Sequence, residues 1–185
     1  MDRTKIIVLD TETTGLKPGK DEIVSIGVTN GYGEAIFYTL LKPRNNDTWE
    51  KAEAVHGISP EMVEYAPYAE DIVPLLQPLI DNANLILGYN FLHFDRKFLQ
   101  AVGLKIPEEK VRDVMLEFSP IFGEWNHYFK DYKFQKLEVC CNYYGIQVDG
   151  LHNSLEDARA TALCFLEQED ELEAIKEKKE REAGA

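Results

Sequence analysis

Five side chains with the chemistry of a hydrolytic metal site occur in three short stretches of the sequence. Asp10 and Glu12 lie in IIVLDTETTGL, Asp95 lies in GYNFLHFDRKFL, and His152 and Asp157 lie in LHNSLEDA. Carboxylates are hard oxygen ligands that suit Mg²⁺ or Mn²⁺, and a pair of such ions is a common device for in-line displacement at phosphorus. The set therefore predicts a metal-dependent phosphodiester hydrolase.

Each cluster taken alone also has an ordinary structural explanation. A D-x-E pair can be no more than a polar strand end, and Asp95 in a first helical turn interacts favourably with the helix dipole. The spacing from Ser154 to Asp157 fits a capping-box-like start of a helix. The occurrence of all three clusters in one chain favours the metal site over these alternatives.

Strand geometry explains how the first pair would act together. Residues i and i+2 of a strand point to the same face, so Asp10 and Glu12 present both carboxylates at the end of the apolar strand over residues 5–9. Two adjacent carboxylates repel each other when both are ionised. A divalent cation between them removes that repulsion, and Gly15 lets the chain turn immediately afterwards.

The elements that must hold these residues are strands first and helices later. Residues 5–9, EIVSIGVTN and EAIFYTLL predict an antiparallel meander, and NLILGYN predicts a fourth strand before the helix that carries Asp95. TWEKAEAV, SPEMVEY and YAEDIVPLLQPLIDNA predict helices between the third and fourth strands. Further helices are predicted at residues 111–122, 134–144 and 154–179. The pattern indicates an α/β layered domain.

Composition limits the class of protein. The chain has 185 residues with 44% hydrophobic content, which favours one domain, and its formal net charge is −13. Such a field does not attract nucleic acid, so binding would depend on local basic groups or bound cations. The three cysteines are expected to be buried free thiols. The N-terminal apolar run is too short for a signal sequence or a membrane span, so we expect a cytoplasmic protein without a membrane partner.

The segment WNHYFKDYKF interleaves aromatic residues with lysines. This pattern suits the stacking of splayed bases and contacts to phosphates. Core packing and surface solvation explain the segment about equally well.

The three clusters resemble the exonuclease motifs of the DEDDh 3′-to-5′ exonucleases, the family that includes the epsilon proofreading subunit of bacterial DNA polymerase III. VLDTETTGL, NFLHFD and HNSLEDA match the motifs in order, and the likeness extends to LLKP, AVHGIS and KLEVCCNYYGI. The resemblance implies an α/β, ribonuclease H-like fold with a mixed five-stranded sheet flanked by helices. We expect an exonuclease domain over residues 1–166, and a charged helix end with a disordered tail over residues 167–185.

The resemblance also implies a role for each site residue. Two divalent cations, Mg²⁺ or Mn²⁺, would be held by Asp10, Glu12, Asp95 and Asp157. His152 would be the general base that acts with Glu12 in catalysis. The expected substrate contacts come from the first motif, the VHGI segment and the second motif: Thr11, Thr13, Leu16, Val55, His56 and Phe94.

Two positions depart from the usual family pattern. The second motif commonly reads Asn-x-x-Phe-Asp, whereas three residues separate Asn90 from Phe94 here, so the loop before Asp95 carries one extra residue. Ser154 stands where alanine is usual. Because a small residue is kept, we expect little effect from this difference.

The predicted activity is 3′-to-5′ hydrolysis of terminal phosphodiester bonds in single-stranded DNA, with release of nucleoside 5′-monophosphates. An exoribonuclease of the same family is an alternative, because the contacts to a 2′-hydroxyl that separate the two substrates have no sequence signature here. A non-catalytic module that binds nucleic acid or a polymerase is a second alternative, and the complete set of acids argues against it. A DNA polymerase subunit is a candidate partner.

Overall fold

A mixed β-sheet with helices on both faces organises residues 2–148 and 150–183, the part of the chain that the computed structural model describes. In the spatial order β3-β2-β1-β4-β5, the sheet contains β1 (Ile6–Thr13), β2 (Ile23–Asn30), β3 (Ala35–Leu40), β4 (Leu85–Gly88) and β5 (Val111–Asp113). A separate hairpin pairs β6 (Trp125–Asn126) with β7 (Asp131–Tyr132). The helices are α1 (Glu50–His56), α2 (Val73–Asn82), α3 (Asp95–Ala101), α4 (Val114–Phe122), α5 (Leu137–Tyr144) and α6 (Ser154–Ala183).

The first three strands form the predicted antiparallel meander, and β4 and β5 extend the sheet in parallel. β1 pairs with β4 only along Ile6 to Val8, so its last residues continue beyond the end of β4. The predicted mixed five-stranded sheet flanked by helices is confirmed. The uncovered end of β1 is where the site forms.

Alternate residues of β1 pack against different helices. Ile7 and Leu9 belong to a buried cluster with residues of α2 and α3, whereas Ile6 and Val8 belong to a cluster with residues of α4, α5 and α6. Both clusters are fully apolar at their centres, which explains the continuous β-branched run of this strand. Because side chains alternate along a strand, Asp10 continues the face that α6 covers.

The fifth strand corrects the helix predicted over residues 111–122. Val111–Asp113 pairs with β4, and α4 begins only at Val114. The side chain of Asp113 accepts a hydrogen bond from the backbone N–H of Met115 at 3.1 Å, as an N-cap residue does. An N-cap has extended backbone geometry, so Asp113 separates the strand from the helix.

Two other predicted helices are shorter than expected. α5 begins at Leu137 rather than at Phe134, and SPEMVEY forms a 3₁₀ turn over Pro60–Val63. The hairpin β6–β7 lies in the segment WNHYFKDYKF and was not predicted. Local propensity alone does not distinguish short strands from neighbouring helix ends.

α6 runs without interruption from Ser154 to Ala183, across the predicted boundary at residue 166. The division into a domain and a charged tail stays a prediction, and residues 184–185 lie outside the described residues. The three cysteines are buried free thiols, as predicted. Among the described residues, no helix has both the length and the apolar character needed to cross a bilayer.

Candidate active site

Three of the predicted metal ligands converge at the end of β1. Asp10, Glu12 and Asp157 each offer one carboxylate oxygen, and these oxygens all lie within 4.8 Å of one another. The first two residues come from alternate positions of the strand, and Asp157 comes from the first turn of α6. The structure therefore brings together residues that are about 145 positions apart in the sequence.

The start of α6 lies very close to β2, and this contact places Asp157. A β-carbon added to Gly27 would lie 2.4 Å from the carbonyl oxygen of Ser154. The hydroxyls of Ser25 and Ser154 form a buried hydrogen bond at 2.6 Å. Gly27 is also the register partner of Asp10 across the β1–β2 pair. The absence of a side chain at Gly27 thus allows the helix to present Asp157 beside Asp10.

The capping box suggested by the spacing from Ser154 to Asp157 is corrected by the structure. Asn153 is the residue that caps α6, because its side-chain oxygen accepts hydrogen bonds from the backbone N–H groups of Leu155 (3.1 Å) and Glu156 (3.4 Å). Ser154 is instead the first residue of the helix, and its hydroxyl contacts β2. The Ser154 hydroxyl thus joins the start of α6 to β2 through a hydrogen bond that alanine could not form.

His152 lies on the loop that enters α6, as predicted. Its backbone is left-handed, with φ of 73°, and its backbone N–H donates to both carboxylate oxygens of Asp157 at 3.3 and 3.2 Å. The side chain is exposed and lines a cavity of about 500 Å³ together with Asp157. The loop therefore places His152 beside Asp157 and leaves its side chain accessible to water.

Asp95 lies beside this cluster and is tied to the strand. Its Oδ1 accepts hydrogen bonds from the backbone N–H of Thr11 at 2.9 Å and from the Thr11 hydroxyl at 2.6 Å. The bonds form at the part of β1 that extends beyond β4. Asp95 is buried at the first position of α3, as predicted, and is close enough to affect the pKa of Asp10.

A further buried carboxylate, Asp113, holds the loop that leads to Asp95. Its two oxygens accept hydrogen bonds from the backbone N–H groups of Asn90 and Leu92, both at 3.0 Å. Asn90 has a positive φ of 60°, and its carbonyl accepts from the N–H of Phe94 at 3.0 Å. The loop with the extra residue is therefore a closed turn. Asp113 was not predicted as a site residue, although its position directly before an apolar helical pattern is typical of an N-cap.

Burial raises the pKa of all four predicted metal ligands, and repulsion from neighbouring carboxylates adds to the effect. Burial is the main cause for Glu12, whose pKa is raised to about 8 with contributions from Asp157 and Asp95. Burial also raises the pKa of Asp95 to about 7, against the hydrogen bonds from Thr11, and that of Asp157 to about 6. The pKa of Asp10 is raised well above its ordinary value by burial and by the neighbouring carboxylates. A carboxylate set of this kind fits hard divalent cations, which offset the repulsion.

The predicted substrate contacts divide into exposed and enclosed side chains. Leu16 is 81% exposed and Val55 is 57% exposed, so both side chains are available to a ligand. Thr11 and Thr13 are buried, and their hydroxyls bond Asp95 and the carbonyl of Gly15, respectively. The threonine hydroxyls are therefore engaged within the protein.

His56 and Phe94 are both half-buried and are held by neighbouring groups. The backbone N–H of Ile58 donates to Nδ1 of His56 at 3.0 Å, so the proton lies on Nε2, which is 3.3 Å from the carbonyl oxygen of Thr13. Burial lowers the pKa of His56 and favours this neutral form. The ring of Phe94 packs on that of Phe98, with 5.0 Å between centroids.

Comparison with known proteins identifies the family. The RNase_T family model, described as Exonuclease, matches residues 7–165. The chain belongs to the RNase T exonuclease family. The uncharacterized exonuclease CP81 of Escherichia phage 186 is 35% identical to this exonuclease domain over 166 residues, which cover 84% of this chain and 83% of the phage protein.

Two longer relatives contain a similar segment. A PolC-type DNA polymerase III of Caldanaerobacter subterraneus subsp. tengcongensis is 29% identical over 177 residues, which cover 92% of this chain and 12% of the polymerase. RNA exonuclease 4 of Gibberella zeae is 27% identical over 165 residues, which cover 87% of this chain and 48% of that protein. The exonuclease domain spans less than half of either relative.

Solved structures show the same fold. Exonuclease X in complex with 5′ overhanging duplex DNA superposes with a TM-score of 0.68 at 20% identity, covering 89% of this chain and 91% of that chain. E. coli exonuclease I in complex with a dT13 oligonucleotide gives a TM-score of 0.69 at 17% identity, covering 85% and 39%. The predicted ribonuclease H-like exonuclease fold and the prediction of an exonuclease enzyme are confirmed.

Proposed function

We propose that this exonuclease domain hydrolyses the 3′-terminal phosphodiester bond of single-stranded DNA and releases nucleoside 5′-monophosphates. The observation that carries the proposal is the convergence of Asp10, Glu12 and Asp157 within 4.8 Å, beside an exposed His152. Carboxylates collected at this density are costly unless cations are bound. Their arrangement therefore supports catalysis better than a purely structural role.

The proposed cofactors are two divalent cations, Mg²⁺ or Mn²⁺. Asp10, Glu12 and Asp157 would hold them, with Asp95 supplying a fourth carboxylate from the neighbouring helix. When bound, the cations supply positive charge that stabilises the phosphoryl oxygens and the departing 3′ oxygen. Thr11 keeps Asp95 oriented through its two hydrogen bonds to Oδ1.

His152 is the proposed general base. Its ring is exposed on the wall of the cavity that also contains Asp157, so it can accept a proton from an attacking water. The bonds from its backbone N–H to Asp157 hold the backbone of His152 beside the carboxylates. Glu12 is the proposed second catalytic residue, since it lies in the same carboxylate cluster.

Leu16 and Val55 are the proposed apolar contacts to the terminal bases, because both are strongly exposed. Leu16 ends the first motif, and Val55 precedes His56, whose Nε2 is 3.3 Å from the carbonyl oxygen of Thr13. His56 would lie near the terminal sugar. The side chains of Thr11, Thr13 and Phe94 are packed or hydrogen-bonded within the protein. These residues would therefore contribute to substrate binding through their backbone groups and by positioning neighbouring side chains.

We propose DNA rather than RNA as the substrate. The similarity to DNA polymerase III and to structures solved with bound DNA supports this choice. The similarity to RNA exonuclease 4 favours RNA as the second candidate substrate. A DNA polymerase subunit as partner and a cytoplasmic location stay predictions.

A gel time course tests the activity and its substrate. A 5′-labelled single-stranded DNA and the matching RNA are incubated with Mg²⁺, Mn²⁺ or EDTA. We expect a ladder that shortens from the 3′ end, requires the metal and forms faster with DNA. Faster shortening of RNA would assign the domain to RNA, and no shortening of either strand with any metal would contradict the proposal.

Asp157→Asn tests the site, and Asp170→Asn on the same helix is the matched control because Asp170 is exposed and far along α6. We expect Asp157→Asn to lose activity by at least about 100-fold while circular dichroism shows a folded protein. The control should be as active as the wild type. Full activity in Asp157→Asn would exclude Asp157 from the metal site.

A further inference from the structure

The hairpin β6–β7 presents aromatic side chains to solvent. Tyr128 is 87% exposed and Phe129 is 73% exposed at its tip, and Trp125 is also exposed at its base. Large aromatic groups lose favourable burial when they remain in water. Several of them on one short hairpin indicate a surface that binds a ligand.

The hairpin tip is held in place by local bonds. Asn126 Oδ1 accepts hydrogen bonds from the backbone N–H groups of Tyr128 (3.0 Å) and Phe129 (3.2 Å). At the base, the rings of Trp125 and Tyr132 meet edge to face, with 5.1 Å between centroids. A pre-organised aromatic surface loses less conformational entropy when a ligand stacks on it.

The hairpin is continuous with the active site. Phe134 lines both the hollow beside Phe129 and the cavity that contains His152 and Asp157. The hydroxyl of Tyr89 donates to the carbonyl oxygen of Gln135 at 2.9 Å, which anchors the chain leaving the hairpin to the end of β4. A nucleic-acid strand that leaves the active-site cavity past Phe134 therefore reaches the aromatic surface of the hairpin.

Local positive charge complements a nucleic-acid backbone. Lys130 and Lys136 are exposed, and neither forms an ion pair with any residue between 2 and 148 or between 150 and 176. Lys136 lines the active-site cavity, and Lys130 is next to the aromatic tip. On a chain with a net charge of −13, two such lysines provide a local attraction for phosphates.

We propose that the hairpin is a stacking platform for bases of a single strand, upstream of the 3′-terminal nucleotide that occupies the active site. The inference rests on the proposed function and adds a second binding region to it. Aromatic side chains stack on any base, while nearby lysines contact the backbone. The platform therefore serves single-stranded DNA or RNA with little sequence preference.

A comparison of a long and a minimal substrate tests the platform. The minimal substrate is the p-nitrophenyl ester of thymidine 5′-monophosphate, which occupies only the terminal subsite. The long substrates are oligothymidylate and oligouridylate of about 16 nucleotides, the upper range of single-strand site sizes. The test variant is Tyr128→Ala/Phe129→Ala. Tyr32→Ala is the matched control, since Tyr32 is an exposed aromatic in the β2–β3 turn, at the opposite end of β1 from the carboxylates.

We expect the double variant to lower kcat/KM on the oligonucleotides by about 10-fold or more, since loss of stacking changes affinity by roughly 5- to 150-fold per base. Hydrolysis of the nitrophenyl ester should be unchanged. Tyr128→Phe/Phe129→Tyr should restore the wild-type rates, and Tyr32→Ala should match the wild type. A single abasic position moved upstream from the 3′ end should weaken wild-type binding only where a base meets the platform.

Unchanged rates on the oligonucleotides would overturn the inference and leave the exposed face to another partner, such as a protein. An equal loss on both substrates would also overturn it, because the change would then act on the active site. If the wild type hydrolyses neither substrate, the proposed function fails. In that event, fluorescence anisotropy with a 5′-labelled oligonucleotide tests the platform alone: weaker binding by the double variant supports it, and equal binding rejects it.

Discussion

Gly27 of β2 lies directly beneath Ser154 of α6, at a distance that leaves no room for a β-carbon. An added β-carbon would lie 2.4 Å from the Ser154 carbonyl oxygen, and Gly27 pairs with Asp10 in the sheet. The contact therefore determines the separation between Asp10 on the strand and Asp157 on the helix. Packing and catalytic geometry depend on the same residue.

Gly27→Ala is expected to push the start of α6 away from the sheet. Overpacking of this kind costs about 1–3 kcal/mol of unfolding free energy, and the displacement of Asp157 should lower activity by about 10- to 100-fold. Thr29→Val on the same strand is the control, because the Thr29 hydroxyl has no hydrogen-bond partner among the described residues. Thermal melts and initial rates measure both effects. Wild-type activity in Gly27→Ala would show that α6 can move without disturbing the site.

The carboxylate cluster predicts how the stability of the metal-free protein depends on pH. The pKa of Glu12 is raised from an ordinary 4.5 to about 8 in the folded chain, so between these values the native state binds protons that the unfolded state has lost. Protonated Glu12 therefore adds to the free energy of unfolding in full below about pH 4.5, and this contribution is lost as the pH rises toward 8. We expect the Tm of the metal-free protein to fall across this range.

Mg²⁺ or Mn²⁺ should raise the Tm more at pH 8 than at pH 5, because cations bind the ionised cluster and stabilise only the folded state. Glu12→Gln should flatten the pH dependence, since its side chain does not titrate. Differential scanning fluorimetry with and without the metal measures all of these changes. A pH profile in Glu12→Gln identical to that of the wild type would assign the titration to other groups.

Asp113 is expected to be a positioning residue for the second motif. Asp113→Ala removes the acceptor of three backbone N–H groups, those of Asn90, Leu92 and Met115, and should cost roughly 3–5 kcal/mol of unfolding free energy. Urea unfolding gives the change, with Asp170→Ala on the surface of α6 as the control.

Asp113→Asn separates stability from positioning, because it keeps one acceptor oxygen. We expect it to be folded and to bind Mn²⁺ more weakly than the wild type, because the loop that carries Asp95 is less constrained. Isothermal titration calorimetry gives the affinity. Unchanged Mn²⁺ affinity in a folded Asp113→Asn would limit the role of Asp113 to stability.

Leu16 is expected to act on the substrate and not on the fold. Because the side chain is strongly exposed, Leu16→Ala should change the unfolding free energy by less than about 0.5 kcal/mol. Loss of its contact with the terminal bases should raise KM on single strands by about 10-fold, equivalent to roughly 1.4 kcal/mol. Leu75→Ala on α2 removes an equally large exposed side chain and should leave KM unchanged. Equal KM values for the two variants would remove Leu16 from the substrate contacts.

The sequence by itself determined the local features of this protein. Strand and helix patterns predicted the meander, β4, and the helices that carry Asp95 and Asp157 close to their observed bounds. The motif residues were predicted because their types and order are encoded locally. The period of two along β1 also predicted that Asp10 and Glu12 would share a face.

Only the tertiary structure decided how these local features meet. The bond between Ser25 and Ser154 joins residues that are 129 positions apart, and the bond between Thr11 and Asp95 joins residues that are 84 positions apart. Val111–Asp113 forms a strand because it pairs with β4. These features depend on contacts between segments that are distant in the sequence. The free energies of such contacts exceed those of local propensities, and the contacts leave no periodic pattern in the sequence.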